Sequence, residues 1–213
     1  MSRSTLRPES LPGGRLARAA QAAAAAAPDT KPGKKTAAPA AAKGSGEIRI
    51  RGGQWKRTRL AVAQRPGLRP TPDRVRETLF NWLGQDLTGW HCLDAFAGTG
   101  ALGLEAASRG AAAVQLVEND PALVAQLDSV GRGLGDDVAA IKHAAPASLH
   151  LVLVDPPFDS ALFEPALQAA AQAVAADGYV YLEAPTAWTD EALAPFGLTV
   201  HRHLKAGAVH AHL

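Results

Sequence analysis

From Trp90 onward, short apolar runs alternate with stretches whose apolar positions recur at three- and four-residue spacing. The runs at 91–96, 113–118, 138–141, 149–154 and 178–183 predict strands. The stretches at 100–109, 121–130 and 161–176 predict helices. Strand and helix in alternation mean a mostly parallel sheet covered on both faces, a doubly wound α/β arrangement. Residues 198–204 and 208–213, around Gly207, predict a closing hairpin.

Upstream the pattern changes. Glu47 to Arg51 alternates polar and apolar, and after Gly52 and Gly53 the run Thr58 to Val62 does the same, which predicts a small basic hairpin. Thr71-Pro72-Asp73 then offers an N-cap, a proline at the first helical position and an acid in the first turn, opening a helix through Val75, Leu79, Phe80 and Leu83. Residues 1–46 are Ala, Pro, Lys, Arg and Gly with few branched or aromatic side chains, too little to offset the entropy of ordering. They are expected to form a disordered tail; 47–85 a basic hairpin and helix; and 86–213 the main domain.

Charge sharpens this division. Residues 1–46 hold eight Lys and Arg against two acids, 47–76 nine against two, and 77–213 five against sixteen. The front of the chain is suited to a polyanion. A single cysteine, Cys92, excludes an intrachain disulfide and points to a reducing compartment, so a cytoplasmic protein is expected. The apolar run Leu149 to Val154 is far short of the roughly 20 residues that span a bilayer, so no membrane association is expected. A monomer is the default expectation.

The chemistry concentrates at two turns. Asp94, Phe96, Ala97, Gly98, Thr99 and Gly100 follow the first core strand, Gly103 completes a G-x-G-x-x-G pattern, and Glu118 with Asn119 closes the next strand. Glycines let the backbone turn tightly beside a ligand, and an acid at that spacing accepts from ribose hydroxyls, so these residues are expected to bind a nucleoside cofactor. On the glycines alone a nicotinamide dehydrogenase fits as well as an S-adenosylmethionine enzyme. Asp94 favours the second, because a carboxylate suits an ammonium and a sulfonium better than a pyrophosphate.

At the second turn the strand ending at Val154 runs into Asp155-Pro156-Pro157-Phe158. Neither proline has an N–H, and each restricts the residue before it, so the turn is stiff. A carboxylate and carbonyls there can accept from both N–H groups of an aromatic amine, whose lone pair is otherwise delocalised, and aim it at a methyl donor. Phe158 offers a stacking surface for an unstacked base. In a sheet of order 3-2-1-4-5 both turns leave adjacent strands at the switch point and face one crevice. The residues themselves leave guanine, adenine and cytosine open.

Taken together, Ile48-Arg49-Ile50-Arg51-Gly52-Gly53-Gln54-Trp55, the run Leu68 to Leu83, the run Asp94 to Glu105 and Val154 to Phe158 resemble the RsmD family, bacterial methyltransferases of a guanine exocyclic amine in small-subunit ribosomal RNA. The resemblance extends more weakly through Tyr181-Leu182-Glu183 and Lys205 to Val209. It implies a seven-stranded Rossmann-like class I methyltransferase sheet, S-adenosylmethionine as donor, 16S ribosomal RNA as partner, and Asp155 to Phe158 as the catalytic motif. It also implies RNA contacts from Arg49, Arg51, Lys56, Arg57 and Arg59, with Arg69, Thr71, Arg74 and Arg76 near the target base. Between the third and fourth strands, Lys142 to Ser148 is shorter than the family's segment and places Ala144 or Ala145 where a polar residue stands beside the adenine.

Other residues are left aside. His201, His203, His210 and His212 alternate on the closing strands without acids or cysteines to complete a metal site, so surface positions and no metal are expected. Trp55 is divided between stacking on RNA and packing the hairpin; Trp82 reads as core. Two competing readings remain: a nicotinamide oxidoreductase using the same glycine turn, and a non-catalytic RNA-binding protein that keeps the fold.

Overall fold

The computed structural model describes residues 47–62, 71–134 and 147–213. The tail, Arg69, the strand expected at 138–141 and the segment bearing Ala144 and Ala145 lie outside the described residues. A short antiparallel pair, β1 (Glu47–Arg49) and β2 (Arg59–Ala61), precedes helix α1 (Asp73–Trp82). Then follow β3 (His91–Asp94), α2 (Ala101–Ser108), β4 (Ala113–Leu116), α3 (Pro121–Leu134), β5 (Leu149–Val154), α4 (Phe163–Ala173) and β6 (Val174–Ala184). A single-turn α5 (Asp190–Leu193) leads to β7 (His203–Ala206) and β8 (Val209–His212).

The described part of the main sheet has six strands in the order β4-β3-β5-β6-β8-β7. The first three pairings are parallel and the last two antiparallel. The order reverses between β3 and β5, the switch point expected from the sequence. Sheet strands are filled with Leu and Val because helices cover both faces. On one face Cys92, Leu151, Leu153 and Tyr181 pack against Val75, Leu79 and Phe80 of α1 and Leu102 and Ala106 of α2. On the other, Val152, Val154 and Leu182 pack against Leu167 and Ala170 of α4.

Several boundaries moved for identifiable reasons. Pro72, not Thr71, takes the cap position of α1; the carbonyl of Pro72 receives the Val75 and Arg76 amides, and no side chain caps the helix. Helix α4 stops at Ala173, where a helix to 176 was expected, because Val174 turns extended and pairs with Leu149. The register then shifts, and Gly178 lies so near the Leu149 and His150 carbonyls that a Cβ would come within 2.8 Å of the first. Sheet pairing thus overrides the helix propensity of the alanine-rich stretch. His212 is buried in β8, not on the surface: the segment bearing Trp188 covers it, and its Nε2 receives the Trp188 amide at 3.0 Å, whereas His210 on the same strand is only half-buried.

Helix α2 is buried at every position, including Glu105 and Ser108. These two polar groups tie the hairpin down. Glu105 accepts the Arg51 and Gly52 amides at 2.8 and 2.7 Å, and Ser108 donates from Oγ to the Gly52 carbonyl and receives the Trp55 amide. Gly53 sits at φ +72, with its missing Cβ only 1.7 Å from the Ser108 carbonyl oxygen, so no other residue fits there without displacing the loop. Ile48, Ile50 and Leu60 then pack on Ala101 and Leu104, with Trp55 and Val62 beside them. Trp55 is therefore a half-buried packing residue, and Trp82 also packs against the core.

Candidate active site

The glycine turn is built from β3 outward. Backbone bonds from Ala95 to the Leu153 carbonyl and from Ala97 to the Val117 carbonyl carry the chain past the sheet between β5 and the end of β4. Gly98 and Gly100 adopt φ +52 and +77, and Gly100 caps α2 from the left-handed region. A Cβ on Gly103 would come within 2.2 Å of Leu116, so this glycine lets α2 lie close on the sheet. Thr99 is buried, Ala97 is buried behind the turn, and Phe96 is half-buried against the opposite core cluster.

Asp94 is 1% exposed, and its Oδ2 accepts the Gly103 amide at 2.9 Å, where a helix N-terminus favours an anion. Its Oδ1 is buried without a hydrogen-bond partner. Burial, above all, pushes the carboxyl up to about 7; the Gly103 amide opposes that rise, as does the Phe96 amide, which is near but makes no hydrogen bond of good geometry, while the charges of Glu118 and Glu183 add to it. Asp94 thus supports the helix and still has one unsatisfied acceptor, the kind of group a cationic ligand satisfies.

Glu118 faces the same turn. Its Oε2 accepts the Gly98 amide at 2.8 Å, and its Oε1 accepts the Asn119 and Asp120 amides at 2.8 and 2.9 Å. A carboxylate offers about four acceptor positions, so the carboxylate is rigidly oriented with capacity left for a hydroxyl. Asn119 is exposed beside it. Asp120 receives the Ala122 amide on its side chain and, with Pro121 next, starts α3.

The second turn leaves β5, the neighbour of β3. Asp155 and Phe158 are half-buried, Pro156 is buried and Pro157 exposed, its carbonyl fixed by the amide and hydroxyl of Ser160 at 3.0 and 2.6 Å. Because Asp94 pairs with Leu153, the exits of β3 and β5 lie level. The structure thus brings the catalytic and cofactor candidates to adjacent strand ends. A cavity of about 420 Å³ between α4, β6 and the segment Leu193 to His201 lies elsewhere, and none of the candidate residues lines it.

The cationic candidates separate into two groups. Arg49, Lys56, Arg57, Arg59 and Arg74 are exposed, the first and fourth also bonded to Glu47. Arg51 is exposed but turned onto Glu77 and Asp73. Arg76 is a correction: it is 0% exposed and donates to Asp73, to the Arg49 carbonyl at 3.1 Å and to Glu105 at 3.4 Å. Its guanidinium is a strut inside the protein, with no surface for RNA. Thr71 is likewise buried. Sequence reasoning passed over the partner of the Arg76 strut, Glu105, which also binds Arg109 at 2.8 Å; Arg109 in turn lies 4.7 Å over the Phe80 ring. A cue was present, since Glu105 stands among Ala and Leu with no polar face around it.

A family described as conserved hypothetical protein 95 matches residues 48–213. Over 129 residues the chain is 49% identical to the ribosomal RNA small subunit methyltransferase D of Escherichia coli K12, an alignment covering 57% of this chain and 65% of that protein. The chain therefore aligns with just under two-thirds of that relative. Among solved structures, the Escherichia coli protein yhhF superposes with TM-score 0.62 at 39% identity, covering 78% of this chain and 96% of that one. A Haemophilus influenzae protein gives 0.60 at 30%, covering 78% and 97%. Together with the methyltransferase fold and its level pair of turns, these likenesses show that the chain belongs to the RsmD family, the family described as conserved hypothetical protein 95.

Proposed function

We propose that this protein transfers a methyl group from S-adenosylmethionine to the exocyclic amine of a guanine in small-subunit ribosomal RNA. The observation that carries the reading is the pairing of the glycine turn with Asp155 to Phe158 at the exits of adjacent strands. The name of the Escherichia coli relative supports small-subunit RNA as the substrate. The donor set fits the cofactor: the unsatisfied Asp94 oxygen suits a cation, and oriented Glu118 suits ribose hydroxyls. A nicotinamide dinucleotide would instead bring its pyrophosphate towards Asp94.

When bound, S-adenosylmethionine supplies a methyl group whose bond to cationic sulfur breaks as a bond to the amine nitrogen forms. The protein's part is to prepare that amine. Asp155 and the turn's carbonyls accept its N–H groups, localising the lone pair, and Asp155 takes the proton that the nitrogen sheds. Phe158 stacks on the base and excludes water. Exposed Arg49, Lys56, Arg57 and Arg59 hold the RNA backbone, with Arg74 nearer the base. Asp94, Phe96 to Gly100, Glu118 and Asn119 form the cofactor's cradle.

The test is labelled S-adenosylmethionine with small ribosomal subunits lacking the modification, followed by mass-spectrometric mapping. Label on one guanine N2 is expected. Asp155→Ala should keep calorimetric cofactor binding and lose transfer. Undiminished turnover in that variant, or label on another base, would sink the mechanism. RNA binding without transfer by the unaltered chain would instead identify a non-catalytic binding protein.

A further inference from the structure

Two buried polar side chains at the exit of β6 play no part in the chemistry above. Tyr181 and Glu183 are 0% and 2% exposed, and the Tyr181 hydroxyl donates to Glu183 Oε1 at 2.8 Å. Leu153 pairs with Tyr181 and Val154 with Leu182, so one step further along Glu183 stands beside Asp155. Strand alternation directs both acids to the Tyr181 face of the sheet. Electrostatics agree with this placement: burial, then the charges of Glu183 and Asp155, push the phenol well above its ordinary range. The charge of Glu183 also reaches Asp94 on β3. A strand end facing a core ordinarily carries an aliphatic residue, and burying an acid there is costly.

We propose that Glu183, held in place by Tyr181, is a positioning residue for methyl transfer that acts through Asp155. This rests on the methyltransferase reading. In the transfer, the bond from methyl carbon to sulfur breaks with its electron pair left on sulfur, and the amine lone pair forms the new bond. One N–H proton then passes to Asp155 and on to water. A second carboxylate beside Asp155 raises the proton affinity of Asp155, making it the stronger acceptor as charge builds on nitrogen. Tyr181 supplies the donor that a buried carboxylate requires and fixes its rotamer, so the second charge stays at the strand exit.

A role confined to packing would act equally whatever residue stands at 155. The experiment is therefore a cycle of Glu183→Gln made in the unaltered chain and in an Asp155→Asn background. Single-turnover transfer to unmodified small subunits is read alongside calorimetric S-adenosylmethionine affinity and thermal midpoints. Glutamine keeps the shape and the acceptor for Tyr181 but removes the charge. In the unaltered background turnover should fall about tenfold or more, with KM for RNA and cofactor affinity within about twofold. Asp155→Asn, unlike Asp155→Ala, keeps a carbonyl acceptor for the amine and with it a slow, measurable single-turnover rate; in that background the same substitution should change the rate by less than about twofold. Glu183→Asp, which keeps the charge, should restore part of the rate.

Equal losses in the two backgrounds, or unchanged turnover in Glu183→Gln, would overturn the inference while leaving the methyltransferase reading intact. No transfer by the unaltered chain would overturn both. Should Glu183→Gln fail to fold, Tyr181→Phe carries the same comparison, because it keeps the charge and removes only its donor. A loss of about threefold or more that disappears with Asp155→Asn is then expected, and a background-independent loss refutes the proposal.

Discussion

Replacing Glu105 with glutamine should unfold the protein far more readily than any change at its surface. The carboxylate accepts from the Arg51 and Gly52 amides, from Arg76 and twice from Arg109, and both it and Arg76 are wholly buried. Glutamine leaves one carbonyl for these donors and turns its own amide on the rest, stranding buried cations. Breaking a buried pair in this way costs about 3–5 kcal/mol. In a chain of this size that lowers the thermal midpoint by about 6–20 °C. The exposed pair Arg51–Glu77, at 40% and 44% side-chain exposure, sets the comparison: solvent screens it, so Glu77→Gln should cost far less than Glu105→Gln. Urea unfolding of both variants gives the two numbers, and amide exchange tells where the loss occurs. Protection should vanish first at Arg51 and Gly52 while β3 and β5 keep theirs. A cost below about 1 kcal/mol for Glu105→Gln, or equal costs for the two variants, would refute the assignment of the network as the clamp of the hairpin.

Gly53→Ala should cost about 2 kcal/mol or more, since its Cβ meets the Ser108 carbonyl, whereas Gly84→Ala, with positive φ and open space, should cost about 1 kcal/mol; chemical denaturation separates them. Lys56→Ala with Arg57→Ala should weaken RNA binding and flatten its dependence on log salt by about 1–2; an unchanged slope places the RNA elsewhere. The native Asp94 carboxyl stays neutral from about pH 4 to about 7 while the unfolded chain ionises, so stability without ligand should fall as pH rises across that window and level off above it. Binding of a cation should reverse this by releasing up to one proton near neutral pH, which calorimetry in buffers of different ionisation heat detects. His212 runs the other way: burial first, then nearby His203 and His210, lower it to about 4. Its contribution is complete above about 6.5 and lost as pH falls towards 4, so His212→Leu should flatten the acid limb of the stability curve.

The sheet order around the switch point was legible because parallel βα units have few solutions, and the two turns because their residue types are constrained by chemistry rather than packing. Arg76 was not. A cation two residues after exposed Arg74 reads as another surface charge, and only the placement of Glu105, on a different helix, shows that it points inward. Glu183 was similarly hidden: its significance depends on its register against the neighbouring strand, which sequence periodicity does not reveal. His212 was misplaced because alternation on β8 fixes which side chains share a face, not whether that face is covered.

Helix α2 has a consequence for how such proteins can be recombined. Its N-cap, Gly100, is the last residue of the glycine turn, and Glu105 and Ser108, which hold the basic hairpin, stand about 8 and 12 Å farther along the same rigid rod. A hairpin transplanted from a relative will seat only on a helix that brings the matching acid and hydroxyl. Inserting a single residue into that rod would swing the hairpin by about 100° relative to the glycine turn. Hairpin and helix are in that sense one inheritable cartridge, and chimaeras should be cut after Arg109, never between the hairpin and the sheet.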